Sequence, residues 1–377
     1  MSVRLMHLAD LHLGAPQSYL DDKAEQRAQD LESALFRALA LAPEKDVHAT
    51  VIAGDLFDSF SPPPDLVARV KAAFRKTTED GIPIILIPGT HDSHRYARCV
   101  YTREEFPGVD ILLEAGKPIF KNLNGHAVYL YGFCGGRNQD SPPFRRGAGE
   151  GLHVALAHGS VSEAAHWSPS PRDFSLRPGE LETSGFNYVA LGHHHNFQEF
   201  RCDKVSALYP GTLEGLKFGE NGDRHLIIAG IGENGSTLEK LKHNRRTVSE
   251  IRIDLSLHDI GCDEELAAFI ERHADPDGII KVLLSGTTNF LPARREIEAR
   301  FAERFFHFEI ADETSIYSSE MVRSAMNENT VRGIFMRNML KKIEQGSGEE
   351  RAAAELALRL GVEQFMRLTD ENLQTFD

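Results

Sequence analysis

Short apolar runs and longer amphipathic stretches alternate through the first two thirds of the chain. Residues 3–9, 49–54, 82–88, 109–113, 127–133, 152–158 and 188–192 are largely apolar, and most end in Gly, Pro or a polar residue. Runs of this length and punctuation predict strands buried on both faces. Between them, residues 21–41 and 64–78 carry apolar side chains at helical spacing, with Leu31, Leu35 and Leu39 on one face. The alternation predicts a layered α/β domain. Beyond Tyr209-Pro210-Gly211, residues 226–231, 237–241 and 248–253 are separated by Gly and Asn turns and predict an antiparallel edge.

After about residue 246 the pattern changes. A strand (249–255), a helix (263–273), a strand (279–284), a helix (292–303) and a strand (305–310) predict a small α/β unit. From residue 317 onward the chain reads as helical. Val331, Phe335, Met339 and Ile343 recur at four-residue steps, and Gly346-Ser347-Gly348 marks a turn. A second helix, 349–368, places Leu358, Val362, Phe365 and Met366 on one stripe. The expected organisation is therefore 1–247, 248–314 and 315–377.

A chain of 377 residues exceeds one ordinary core, in keeping with more than one domain. Hydrophobic residues at 41% and charged residues at 26% describe a soluble globular protein. No apolar run reaches the roughly 18–20 residues that cross a bilayer, so no membrane partner is expected. Arg4, His7 and Asp10 break the N-terminal segment, which excludes it as a signal peptide. Cys99, Cys134, Cys202 and Cys262 form no CxxC pair. A reducing cytoplasm is the expected compartment. The net charge of −14 argues by itself against a nucleic-acid partner. The 17 histidines point any metal chemistry toward imidazole and carboxylate ligands.

The informative feature is where the strands end. Five strands run into Asp10-Leu11-His12, Asp55, Gly89-Thr90-His91-Asp92, His158, and Gly192-His193-His194-His195. In open α/β sheets, ligands bind at the carboxyl ends of strands. Any one of these motifs alone is explained as a turn, a strand exit or a solvated loop. All five together, each after a buried strand, describe a metal site. Asp and His ligands without Cys suit Mn²⁺, Fe²⁺ or Zn²⁺. A pair of metals about 4 Å apart needs a shared carboxylate and several further ligands. Asp10, His12, Asp55, His158, His193 and His195 supply that set with one position left to fill.

This arrangement resembles the calcineurin-like metallophosphoesterase family, whose pattern is D-x-H, G-D, G-N-H-D/E, H and G-H-x-H. The resemblance covers about residues 1–245 and implies a two-sheet αββα sandwich. Within the family it is most similar to the Mre11/SbcD nuclease branch, including YhaO-like exonucleases. The pointers are Gly54-Asp55-Leu56-Phe57-Asp58 with Ser61-Pro62-Pro63-Pro64, the run Tyr188–Gly192 into His195, and Tyr209-Pro210-Gly211-Thr212. Carried over position by position, Asp10, His12 and His195 would hold one metal, and Asp55 would bridge both. His158 and His193 would hold the second. His91 would act on the phosphate or protonate the leaving oxygen. The family's Asn ligand is Thr90 here, a shorter and poorer donor, which implies a weaker second site.

The resemblance implies two divalent ions, Mn²⁺ foremost, and a 3′→5′ DNA exonuclease with single-strand endonuclease activity in DNA repair. Residues 248–314 would be a capping domain, and the C-terminal helical segment would dock an SbcC/Rad50-like ATPase. A homodimer is also compatible with it. Pro88 stands where protein phosphatases of the family carry Arg, which points away from them. The competing functions are a small-molecule phosphodiesterase or phosphomonoesterase, and a metal-deficient scaffold. Asp58 and Asp92 are expected to orient other groups. His94, His194, Arg145-Arg146 and the basic run 242–246 are surface or phosphate-contact candidates, and Trp167 is a base-stacking or loop-anchor candidate. The charge objection eases with location: residues 1–250 hold 27 basic and 32 acidic residues, which two divalent ions would bring to about −1. Residues 251–377 hold 15 and 24, so the acidic excess sits mainly there.

Overall fold

The computed structural model describes residues 2–137, 140–162, 172–202, 205–233, 235–288, 290, 292–315 and 327–374. Two compact units, Met1–Thr247 and Val248–Asp377, divide the chain.

In the first unit, β1 (Val3–Leu8), β2 (Ala49–Ala53), β3 (Ile84–Ile87) and β4 (Val109–Ile111) run parallel in one sheet. Two antiparallel strands extend it past β1, namely β11 (His225–Gly232) and β12 (Gly235–Lys242). The second sheet centres on parallel β6 (His126–Phe133), β7 (Leu152–His158), β8 (Tyr188–Gly192) and β10 (Val205–Tyr209). Its antiparallel edges are β5 (Pro118–Leu123) and β9 (Gln198–Cys202). The expected two-sheet αββα sandwich is present.

Strand alternation explains the layering, because successive side chains point to opposite faces. Val3, Leu5 and Ala9 join Val51, Ile85, Leu130, Val154, Leu156 and Ala190 in a core between the sheets. Met6 and Leu8 join the helices on the opposite face. Those helices are α1 (Ala24–Glu44), which buries Leu31, Leu35 and Leu39, and α2 (Pro64–Glu79), which buries Val70 and Phe74. Pro64 opens α2 at the position where a missing N–H costs nothing. The outer face of the second sheet is covered differently. Tyr131, Phe133, Phe144, Phe174 and Phe186 pack there with Leu181 of a short helix, Pro178–Thr183.

The second unit contains a parallel three-stranded sheet of β13 (Val248–Asp254), β14 (Asp275–Ser285) and β15 (Phe305–Asp312). Helices Asp263–Glu271 and Arg294–Phe301 bury Leu266, Ile270, Ile297 and Phe301 against it. Residues 248–253, expected to extend an antiparallel edge, pair in parallel with β14 instead. The residues beyond Thr247 start a new core rather than a third edge strand.

Two C-terminal helices, Val331–Gln345 and Gly348–Gln374, pack on each other through Phe335, Met336, Met339, Leu358 and Val362. Val331, expected on that stripe, is 75% exposed, and the Met366 side chain lies outside the described residues. No helix among the described residues is long and apolar enough to cross a membrane.

Candidate metal centre

The carboxyl ends of β1, β2, β3, β7 and β8 meet at one edge of the sandwich. Backbone bonds lock the first two loops together: Asp10 N–H donates to the Gly54 carbonyl (3.1 Å) and His12 N–H to that of Asp55 (3.0 Å). Asp10, His12, Asp55 and His193 all have positive φ, at 53°, 45°, 49° and 111°. Such backbone is uncommon outside glycine, although Asp and His adopt it more readily than most, and it clusters at functional sites. Gly89 permits the close approach, since a Cβ there would collide with the Asp55 carboxylate. A Cβ on Gly54, itself at φ +91°, would strike the His158 ring.

The side chains converge accordingly. Asp10, His12 and His195 place one ligand atom each within 4.8 Å of one another, and so do Asp10, Asp55 and His158. His158 Nε2 lies 3.3 Å from Asp55 Oδ2, and His12 Nε2 lies 3.7 Å from the same oxygen. Thr90 and His193 stand at the margin. Thr90 Oγ1 donates to Asp55 Oδ2 at 3.3 Å. The His193 backbone N–H donates to both Asp10 oxygens at 2.9 Å, while its ring reaches Asp173 at 3.5 Å. His91 is exposed over this edge, with Nδ1 3.2 Å from the Asp58 carbonyl and its backbone N–H donating to Asp55 at 2.8 Å.

Electrostatics define the demand for a cation. Asp10 and Asp55 are 0% and 2% exposed, and burial pushes the Asp10 carboxyl above its usual range. Burial acts on Asp55 in the same sense, but the neighbouring His158 and His12 hold it well below. His158 in turn is driven against its own burial to about 10 by Asp55 and Asp10. Two buried carboxylates thus draw positive charge onto imidazole. A divalent cation supplies that charge and leaves the imidazoles neutral, the form in which they ligate.

Two observations support the fit. The buried His158 Nε2 has no hydrogen-bond partner in suitable geometry, although Asp55 is close. His12 Nε2 and His195 Nε2 face each other at 3.2 Å, an arrangement that a shared ion between two lone pairs explains. The donor set is all oxygen and imidazole nitrogen, as Mn²⁺, Fe²⁺ or Zn²⁺ prefers.

Around these residues lies a ring of groups that orient them. Ligating imidazoles ordinarily hand their second nitrogen to a carboxylate or carbonyl. His12 Nδ1 meets Asp58 Oδ1 at 2.9 Å, and His158 Nδ1 meets the Ala53 carbonyl at 2.9 Å. His195 Nδ1 meets Glu220 Oε1 at 2.7 Å, and Glu220 Oε2 accepts from Leu216 N–H at 2.9 Å. Asp92 accepts from Gly89 N–H (2.6 Å), Phe57 N–H (3.2 Å) and the Tyr101 hydroxyl (2.5 Å). It therefore orients backbone, as expected.

Nothing in the sequence marks Glu220, which follows a Gly-rich loop with no periodicity. Replacing Glu220 with Ala is expected to weaken divalent-ion binding about 10–100-fold, the usual effect of removing such a partner. Calorimetric titration of Mn²⁺ checks it, and unchanged affinity would show that His195 needs no such support.

The remaining candidates separate. His94 is half-buried beside Cys134 Sγ (3.9 Å), and His194 packs edge-on to Tyr209. Arg145 and Arg146 are exposed. The basic run 242–246 is not a free phosphate-binding face. His243, Asn244 and Arg246 are buried, and Arg246 Nε donates to Asp30 at 2.5 Å. Trp167 lies outside the described residues.

A two-sheet α/β sandwich with an Asp/His cluster across its strand ends defines a metallophosphoesterase. The calcineurin-like phosphoesterase family matches residues 3–197, and the chain belongs to that family. The chain is 28% identical over 237 residues to the uncharacterized metallophosphoesterase YhaO of Bacillus subtilis, covering 60% of this chain and 57% of that one. It is 40% identical over 256 residues to the DNA double-strand break repair protein Mre11 of Haloferax volcanii, covering 67% and 55%. The Aeropyrum pernix Mre11 is 27% identical over 277 residues, covering 67% and 64%. The chain thus spans between about half and two thirds of the length of these relatives.

Proposed function

We propose that this protein is a divalent-metal phosphodiesterase acting on DNA ends, a Mn²⁺-type 3′→5′ exonuclease with single-strand endonuclease activity, working in cytoplasmic DNA repair. One observation carries the hydrolytic reading: two buried carboxylates, Asp10 and Asp55, meet His12, His158 and His195 beneath an exposed imidazole, His91. The DNA part is supported by likeness to proteins named for DNA double-strand break repair.

In this reading Asp10, His12, Asp55 and His195 would hold one ion, and Asp55, Thr90, His158 and His193 would hold the other. When bound, two divalent ions supply a water of lowered pKa and neutralise charge on the phosphate. Asp58 and Glu220 keep His12 and His195 in the ligating orientation. With the Nδ1–H of His91 given to the Asp58 carbonyl, its Nε2 edge is left to face the substrate and protonate the leaving oxygen.

Residues 1–247 are read as the catalytic domain and 248–314 as a DNA-positioning cap. Residues 315–377 are read as the docking segment for an SbcC/Rad50-like ATPase. The exposed Val331, Ile334, Leu356 and Leu360 support the last assignment, and the acidic excess of residues 251–377 favours a protein partner there over DNA.

Purified protein with Mn²⁺, offered end-labelled duplex DNA and bis-p-nitrophenyl phosphate, tests the proposal. Cleavage of both supports it. Cleavage of the ester alone identifies a small-molecule phosphodiesterase, and ion binding without cleavage of either identifies a scaffold. Thr90 sets the second ion's affinity in this account. Thr90→Asn is expected to tighten that ion and raise turnover at limiting Mn²⁺ by about tenfold, the order by which groups around a metal shift its binding. Unchanged stoichiometry and turnover would show that the threonine hydroxyl is an adequate ligand.

A further inference from the structure

Two of the loops that carry site residues also carry an aromatic ring. Phe60 follows Asp55 and Asp58 in the loop after β2, and Tyr96 follows Thr90 and His91 in the loop after β3. The two rings stack with centroids 4.3 Å apart and 25° between their planes. Backbone bonds fix both. Val100 N–H donates to the Phe60 carbonyl at 2.8 Å, and Cys99 N–H donates to that of Tyr96 at 2.9 Å. Phe60 and Tyr96 line a single cleft of about 640 Å³ with Asp58, Thr90, His91 and His193.

The same loops show how a purely structural ring behaves here. Phe57 and Tyr101 are buried and belong to the core between the first sheet and its helices. Phe60 and Tyr96 are partly exposed and lie outside that core. Aromatic surface left in water is unfavourable, and a planar ligand ring laid on it removes that surface. The cleft therefore brings phosphate-directed groups and two partly exposed aromatic rings into one space. A phosphate joined to a planar ring through a short spacer, a nucleotide, matches that combination.

We infer that the Phe60–Tyr96 pair is a stacking platform for the nucleobase adjoining the scissile phosphate. The inference rests on the proposed reading of the site as a hydrolase of DNA ends. Every base has a π-face, so such a platform tolerates sequence while requiring that a base be present. Its contribution falls in ground-state binding, and so in KM.

The test uses the Mn²⁺-loaded full chain and two end-labelled oligonucleotides. They are identical except that the nucleoside at the cleaved end is either normal or an abasic tetrahydrofuran. The wild-type protein is expected to prefer the normal end by roughly tenfold in kcat/KM, expressed in KM. Tyr96→Leu and Phe60→Leu are expected to bring that ratio toward one, whereas Tyr96→Phe keeps it. Mn²⁺ stoichiometry by calorimetry verifies that each variant retains its metal centre. Equal cleavage of both ends by the wild type, or an undiminished ratio in Tyr96→Leu, overturns the platform and leaves DNA hydrolysis standing. Cleavage of bis-p-nitrophenyl phosphate but of neither oligonucleotide overturns the DNA reading, and the platform with it.

Discussion

His91→Ala is expected to lower phosphodiester turnover by roughly 10²–10⁴-fold, the range over which positioned acid–base groups act, while two divalent ions still bind. The His91 ring is oriented by Asp58: Nδ1 faces the Asp58 carbonyl at 3.2 Å, and the Asp58 carboxylate lies at 3.3 Å. The hydrogen bond that the ring donates to the Asp58 carboxylate pushes the imidazole up to about 9, so its charged, proton-bearing form is favoured. Its ring packs edge-on to His12 with centroids 4.6 Å apart, close enough to serve the same phosphate. Steady-state kinetics beside calorimetric Mn²⁺ titration separates the possibilities. A fall in both turnover and stoichiometry would make His91 a ligand, and no fall in either would remove it from the chemistry.

Arg27→Ala is expected to cost about 3–5 kcal/mol of stability, the usual penalty for stranding one member of a buried ion pair. Arg27 is 0% exposed on α1, and its guanidinium donates to Glu214 Oε2 at 2.8 Å and to the Gly215 carbonyl at 2.6 Å. Glu214, 2% exposed, also accepts from Arg245 N–H at 2.6 Å. Nearby, Asp30 takes the buried Arg246. Removing Arg27 leaves the buried Glu214 charge to lean on the part-exposed Arg37 and frees the Gly215 carbonyl in the loop that leads to Glu220, the partner of His195. For a unit of this size the loss corresponds to a Tm drop of roughly 6–20 °C. Replacing the pair together, as Arg27→Met with Glu214→Leu, is expected to cost less than Arg27→Ala alone. Thermal denaturation of the three proteins decides it. A drop below about 2 °C for Arg27→Ala would show that the pair contributes little.

The strands that build the site are legible in the sequence because each is an apolar run with both faces buried, as in β2 and β7, whose residues are all buried. Their polar terminators place Asp10, Asp55, His91, His158 and His195 at one edge. The edge strands of the second sheet are not legible. β5 alternates exposed and partly buried residues in Pro118–Leu123, and β9 reads Gln-Glu-Phe-Arg-Cys, so neither carries an apolar run. Long-range charge pairing is equally hidden. Arg246 and Asp30 lie 216 positions apart, and a basic run looks solvated until its buried partner is known. Glu220 is invisible for the same reason, because its role is set by a contact with His195 across a loop. The backbone at Asp10, His12 and Asp55, with φ between 45° and 53°, cannot be read from residue type alone, because Asp and His tolerate that region without requiring it.

In the proposed reading the strand-end cluster would hold two ions organised on Asp55. Calorimetric titration of Mn²⁺ into metal-free protein, with electron paramagnetic resonance of the product, tests it most directly. Two ions per chain with a spin-coupled signal are expected, with loss of that signal in Asp55→Asn and at most one ion retained. Absence of saturable binding, or a stoichiometry and signal that Asp55→Asn leaves unchanged, would contradict it.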